Sequence, residues 1–502
     1  MNTYLVRHPS PSSFVPLRAF VPSCQVHTSA VLSASAFDVR RSTFVLLFSA
    51  LAVLFCASCA KPSDSRTVVS FWHTQSGPKA EALRKIVDDF NNSQDRYRVV
   101  EQYVGTYDTI FRKMVVNIRA GNPPALAVAY ESMVAKYHEA GAVVDLDEYL
   151  THPDCGLSKE SLADIYPAFI ESNRFRHYGN KLLSFPFTKS VLMMYYNRAL
   201  LEKLGFDGPP RTWDEFAAAC KAVKDSGEAR GYAISIDPST IDAMVYSFGG
   251  DVLNEDETGT AFESPASRQV FDLLGMLVRE GLGYMIMDNS YNDRDDLAMG
   301  RAAFFIRSST SAPIVAKQTA DLRAAGRPAA QWDLDIIPHG EGYRPVTVMF
   351  GANVCMLKTS PDVQRGAWEF IKYFTSRDVT ADWAMKSGYL PVRKSAVEVP
   401  VLRDFLSSQP WARKPLDALA YSRSEPVIDG WQEIRMYIDD AERAVLTGGD
   451  TSAALSRLSA DSNRLLAELN QGTELHVPAY FSYLFLVFIG GLGAAVWRLR
   501  KK

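Results

Sequence analysis

The stretch 67–130 alternates between two hydrophobic periods, and that alternation narrows the fold more than any other feature. Thr67–Trp72, TVVSFW, is an apolar run of strand length. The loop HTQSG leads to Pro78, a residue suited to a first helical turn. Leu83, Ile86, Val87 and Phe90 then recur at helical spacing. Tyr97–Tyr103, YRVVEQY, predicts a second strand. Ile110, Phe111, Met114, Val115 and Ile118 predict an amphipathic helix that Gly121 closes, and ALAVAY at 125–130 predicts a third strand. Strand–helix–strand–helix–strand order calls for parallel pairing in an α/β layer.

The alternation then repeats. LLSFPF leads into VLMMYYN at 191–197, GYAISI covers 231–236, GRAAFFI covers 300–306, and WDLDIIP (332–338) and VTVMFGANVCML (346–357) supply two more strand-like runs. Thr212 and Glu215 in RTWDEF form a capping box before a helix. Beyond residue 363 the pattern is mostly helical. With 502 residues the chain exceeds what one core holds. We expect two α/β lobes, 66–184 plus 307–355 and 185–306 plus 356–475.

The ends differ from this body. Residues 40–59, RRSTFVLLFSALAVLFCASC, carry two arginines, an apolar run and small residues before a cysteine. That is the layout of an export signal, and Cys59 after Ala57 and Ser58 resembles the lipidated residue of a bacterial lipoprotein. Cys56 is a poor alternative because bulky Phe55 precedes it. We therefore expect a lipoprotein-type signal over 1–58. Residues 1–38 fit no export logic, and a reading frame opening near Val39 would make an ordinary signal. An uncleaved anchor is the competing reading, but the apolar run is short for a span. The uncharged run 479–497 ends in Trp497 and the basic tail RLRKK. It approaches the ~20 residues of a transmembrane helix, with the basic end on the cytoplasmic side. Both features place the body on the periplasmic side of the cytoplasmic membrane.

The net charge of −3 shows no basic excess of the kind nucleic-acid binding requires. The sequence has no G-x-S-x-G, H-E-x-x-H, phosphate-loop or G-x-G-x-x-G motif. Asp88/Asp89 and Asp439/Asp440 sit on amphipathic helices and read as solvated faces. Cys155, Cys220 and Cys355 remain in the mature body without metal or redox spacing. What recurs is polar and aromatic residues at strand ends: FWHTQSG, GTYDT and YES. Ligands of open α/β sheets bind at those carboxyl ends, so the pattern points to a small polar ligand in a crevice.

Across residues 66–470 the chain resembles the solute-binding proteins of bacterial ABC importers, in the sugar-binding group and its glycerol-3-phosphate branch. The stretches that carry the likeness are FWHTQSG, RAGNPPALAVAYE, PFTKSVLMMYYN, PPRTWDEF, GYLPVRKSA and EIRMYIDDAERAVLTGGDTSAAL. The resemblance implies a periplasmic-binding-protein-like fold, two lobes joined by hinge strands that close on ligand, no cofactor and no covalent chemistry. Its partners would be a small molecule and ABC permease subunits, with the chain acting as a monomer. It places ligand-binding roles on Tyr107, Glu131, Ser190, Ser308, Gly351, Tyr389 and Arg435.

That set also makes chemical sense by itself. A phosphate takes an arginine fork, hydroxyls and a backbone N–H, which Arg435, Tyr389, Ser308 and Gly351 supply, and Glu131 suits a glycerol hydroxyl. The plainer readings are that Arg435 pairs with Asp439 one turn on and that the tyrosine of GYLP simply packs. The branch's tryptophan platform should fall near Ser239, where this chain has SIDPSTID. The expected ligand is glycerol 3-phosphate or a larger glycerophosphodiester. A neutral oligosaccharide is the second reading, and a surface phosphodiesterase, needing a metal or nucleophile cluster, the third.

Overall fold

The computed structural model describes residues 64–286 and 292–470. The chain opens as its hydrophobic pattern dictates. β1 (Thr67–His73), β2 (Tyr97–Tyr103) and β3 (Leu126–Ala129) are joined by α1 (Gly77–Ser93) and α2 (Tyr107–Arg119), and α3 (Glu131–Glu139) follows. β1 pairs in parallel with β2 and with β3. Helix α1 buries Ala82, Leu83, Ile86, Val87 and Phe90 against the sheet. Leu83, Ile86, Val87 and Phe90 each contribute about 1.5–3 kcal/mol when fully buried. After a run of short elements, β4 (Phe185–Pro186) closes the far side of this first lobe.

The chain then crosses to the second lobe, the first of three crossings. β5 (Ser190–Asn197) is buried along its whole length, as an unbroken apolar run should be at the centre of a sheet. Around it stand β6 (Arg230–Ile234), β7 (Gly283–Met285), β8 (Ala302–Ser308), β9 (Trp332–Asp335) and β10 (Thr347–Phe350). Helices α4 (Trp213–Ser226), α5 (Pro238–Ser247) and α6 (Pro265–Arg279) belong to this second lobe. The Thr212/Glu215 capping box opens α4.

Expected lobe boundaries differ from the observed ones here. Residues 332–335 and 347–350 pair with β5, so they belong to the second sheet and not to the first lobe. The run 346–357 is also not one strand. It breaks at Gly351, whose φ is +115°, a conformation that favours glycine. β11 (Asn353–Met356) beyond the break pairs with β3 and β4 in the first sheet. The return crossing is therefore at 351–352. α7 (Pro361–Phe374) and α8 (Arg377–Ser387) then pack on β1 and α1 in the first lobe, again against expectation. β12 (Ser422–Ser424) pairs with β10, and α9 (Trp431–Leu446) and α10 (Thr451–Asn470) complete the second lobe.

The first sheet runs β2–β1–β3–β11–β4 and the second β12–β10–β5–β8–β6–β7, with β9 also on β5. Cys155, Cys220 and Cys355 are buried and unpaired. Cys59, the signal over 1–58 and the run 479–497 lie outside the described residues. Among the described helices none is long and apolar enough to cross a membrane.

Candidate functional site

The carboxyl ends of the first-lobe strands carry the first group of candidate residues. Tyr107 is the opening residue of α2, after β2. Tyr130, after β3, caps α3, and Glu131 begins that helix. The rings of Tyr107 and Tyr130 lie 4.3 Å apart. Gly388 ends α8 in a left-handed turn, so Tyr389 leaves the helix and cannot follow its face. Its ring stacks on Trp383 at 6.0 Å and 11°.

Tyr107 and Tyr389 are neighbours. Burial pushes the Tyr107 phenol above its ordinary range, with hydrogen bonding to Thr74, Thr188, Tyr130 and Tyr389 acting against it. Burial raises Tyr389 likewise, and Gln75, Thr188 and Tyr107 are its hydrogen-bonding neighbours. Lys79 stands 4.6 Å from the Tyr389 ring centroid. Desolvation, then the charge of Arg294, lower its ammonium to about 8.

The crossing strands bring in the next group. Thr188 donates through its hydroxyl to the Ala352 carbonyl at 2.8 Å. A Cβ on Gly351 would stand 1.9 Å from the Thr188 carbonyl oxygen, so the two crossings touch only because residue 351 is glycine. Ser190 donates to the Phe350 carbonyl at 3.4 Å. Ser308 ends β8, accepts from the Thr310 backbone at 3.2 Å, and offers its own carbonyl to the Tyr195 hydroxyl at 2.8 Å. The turn it starts abuts Gly388, whose nearest neighbours include Pro313 and Thr310.

Arg435 projects from α9 in the second lobe. Its guanidinium bonds the Glu425 carboxylate, donates to Ser239 Oγ at 3.2 Å, and lies 3.9 Å from Asp237. It also stands 5.9 Å from the Tyr130 ring centroid, across the cleft. The expected alternative, an ion pair with Asp439, does not form: Asp439 Oδ1 is buried without a hydrogen-bond partner among the described residues. Desolvation pushes the Asp439 carboxyl up to about 6.

Tyr130 joins the two halves. Its phenol is raised by burial, then by Tyr107, with Arg435 lowering it and Tyr389 and Glu425 adding to the rise. Tyr107 at 4.3 Å and Arg435 at 5.9 Å thus flank one ring. Glu131 is already engaged. Its carboxylate accepts from the fully buried Lys189 ammonium at 3.0 Å, and Lys189 also donates to Ser172 at 3.1 Å. Glu131 is therefore half of a buried ion pair with acceptor capacity left over.

Sequence reasoning missed Tyr130, Lys189 and Glu425. The first two adjoin residues that were singled out. Glu425 lies in an irregular segment with no periodic signal.

The model of the bacterial extracellular solute-binding protein family matches residues 85–416. The chain belongs to that family. This agrees with the resemblance in its sequence: a solute-binding protein of an ABC importer, in the sugar-binding group. Among curated relatives, the sn-glycerol-3-phosphate-binding periplasmic protein UgpB of Yersinia pseudotuberculosis is 24% identical over 427 residues, covering 81% of this chain and 94% of that one. UgpB from Mycobacterium tuberculosis, solved in complex with glycerophosphocholine, superposes with a TM-score of 0.70 at 19% identity, covering 81% of this chain and 100% of that one. The sugar-binding protein MalE from Xanthomonas citri gives 0.69 at 18% identity, covering 82% and 100%. These likenesses fix the periplasmic-binding-protein-like α/β fold.

Proposed function

We propose that this protein captures a glycerol phosphate, and in particular a glycerophosphodiester, between its lobes and delivers it to an ABC permease. Arg435 is the observation that carries the reading. It is a guanidinium withdrawn from solvent, held by a second-lobe helix, and facing a group of first-lobe hydroxyls. A fork of N–H donors beside phenols and a threonine suits phosphate oxygens, and Glu131 with Lys189 suits glycerol hydroxyls.

The charge balance favours a diester. Around Arg435 stand Glu425 and Asp237, and Glu131 adds its charge near Glu425. A monoester dianion would meet more repulsion in this setting than a diester monoanion. The relative of known structure that holds glycerophosphocholine supports the same choice.

The second reading, a neutral sugar, draws support from sugar-binding structural neighbours such as MalE. Calorimetric titration with glycerophosphocholine, glycerol 3-phosphate and maltose separates the two. The proposal expects heat with the phosphates and is overturned by heat with maltose alone. The outward-facing location follows the family, and we propose lipid on Cys59 and the 479–497 run as anchors. Mass spectrometry of the mature amino terminus reads the first directly, and a peptide from residues 1–38 would contradict the shortened start.

A further inference from the structure

Lys79 stands in the first turn of α1, after the carboxyl end of β1. Tyr107 opens α2 after β2, and Glu131 opens α3 after β3, so Lys79 holds the matching place on the remaining helix of this series. The setting disfavours a cation. The first turn is the positive end of the helix dipole, and α1 has neither an acidic residue there nor a side-chain cap from Ser76. The Lys79 ammonium lies 4.6 Å from the Tyr389 ring centroid and has no hydrogen bond or ion pair among the described residues. Other cations around the cleft hold carboxylates: Arg435 has Glu425, Lys189 has Glu131 and Arg307 has Asp293.

A second cation approaches from the other lobe. Arg294 lies on the helix Asn292–Ala298, which packs on β8. Its charge acts on Lys79 and also on the Tyr195 phenol. Tyr195 donates to the Ser308 carbonyl at 2.8 Å, so Arg294 stands near the Ser308 turn. That turn abuts Gly388 through Thr310 and Pro313, and Tyr389 comes next in the chain. Lys79 and Arg294 therefore flank Ser308 and Tyr389, one cation from each lobe.

We propose that Lys79 is a ligand-binding residue whose ammonium, with Arg294 opposite, takes a phosphate oxygen of the ligand, so that the anion turns a repulsion across the cleft into a bridge that closes it. Like charges facing across a cleft repel, and an anion between them attracts both. Arg435 is partly neutralised by Glu425 and lies near Asp237, whereas no carboxylate cancels Lys79. A diester phosphate has two free oxygens, one for Arg435 and one for the Lys79 side. The Ser308 and Tyr389 hydroxyls supply further donors to the same group. This inference rests on the phosphate reading above and adds a contact to it.

The test titrates glycerophosphocholine into the full chain, native, Lys79→Gln and Lys79→Arg, at pH 7 and about pH 9.5. The diester keeps the same charge at both values. Lys79→Gln should bind at least about tenfold more weakly at pH 7. Desolvation and the charge of Arg294 lower the Lys79 ammonium to about 8, so the native protein should lose affinity several-fold at the higher pH. Lys79→Arg stays charged and should not. Of the other groups facing Lys79, Arg294 also stays charged, and burial raises the phenols of Tyr389, Tyr107 and Tyr195 so that they stay neutral. Unchanged affinity in Lys79→Gln, or one pH profile shared by the native protein and Lys79→Arg, would overturn the Lys79 contact and leave the phosphate reading standing. No binding by the native protein would overturn both. If Lys79→Gln does not fold, the comparison of the native and Lys79→Arg profiles decides.

Discussion

The guanidinium of Arg435 and the ring of Tyr130 face each other at 5.9 Å, and through them α9 of the second lobe meets the end of β3 in the first. Neither side of this contact is free-standing. Arg435 is held by Glu425 and Ser239, and Tyr130 packs on Tyr107. The cleft is thus organised from both sides by groups that already compensate one another.

Removing Arg435 should separate binding from stability. Arg435→Ala leaves Glu425 buried without its cation, at a cost of about 3–5 kcal/mol. Affinity for glycerophosphodiesters should fall by at least about thirtyfold. Adding Glu425→Gln should restore most of the thermal stability and none of the affinity. Thermal melts and calorimetry on both variants check this, and full recovery of binding in the double variant would refute a direct role for Arg435.

The buried pair of Lys189 and Glu131 predicts a similar asymmetry in the first lobe. Lys189→Met strands a carboxylate in the interior and should cost about 3 kcal/mol or more. Lys189→Met with Glu131→Gln should recover stability. Denaturant melts of the two variants give the comparison.

Gly351 carries the contact between the two crossings. Gly351→Ala places a methyl group 1.9 Å from the Thr188 carbonyl oxygen at a φ of +115°. The strand must shift, at a cost of more than about 2 kcal/mol. Because Thr188 neighbours the Tyr107 and Tyr389 hydroxyls, ligand affinity should drop with it. A variant with native melting temperature would contradict the close approach.

Asp439 gives a prediction with a definite pH window. Desolvation raises its carboxyl to about 6 from an ordinary 3.8. The native state therefore holds this proton more tightly than the unfolded chain between about pH 4 and 6, and the group's contribution to stability falls as pH rises through that range. Above it, the ionised and under-partnered carboxylate is a fixed cost. Asp439→Asn should thus raise the melting temperature at pH 7 relative to the native protein, and that advantage should vanish near pH 4. Melting curves across the range would show a pH-independent difference if burial of Asp439 were not the cause.

Much of the fold could be read from local patterns. The apolar faces of α1 and α2 and the alternation from β1 to β3 follow from spacing alone, since each element buries the stripe its own sequence supplies. The lobe boundaries could not. The run 346–357 is mostly apolar, and hydrophobicity does not record that Gly351 turns the backbone from one sheet into another. Site residues divide in the same way. Tyr107, Glu131 and Tyr389 stand at strand or helix ends, where turns and caps are visible in sequence. Lys189 pairs with Glu131 58 residues before it and Glu425 with Arg435 ten residues after it, and charge pairing at such separations leaves no periodic mark. Arg435 shows how local spacing misleads: Asp439 is one turn away, yet Glu425 in an irregular segment takes the bond.

The central claim is that the cleft recognises a phosphate-bearing ligand through Arg435, and titration calorimetry of the purified full chain tests it most directly. The account predicts saturable heat with glycerophosphocholine, weaker or equal heat with glycerol 3-phosphate, and none with maltose, with the phosphate signals abolished in Arg435→Ala. Binding of maltose alone, or phosphate binding that is unchanged in Arg435→Ala, would contradict it.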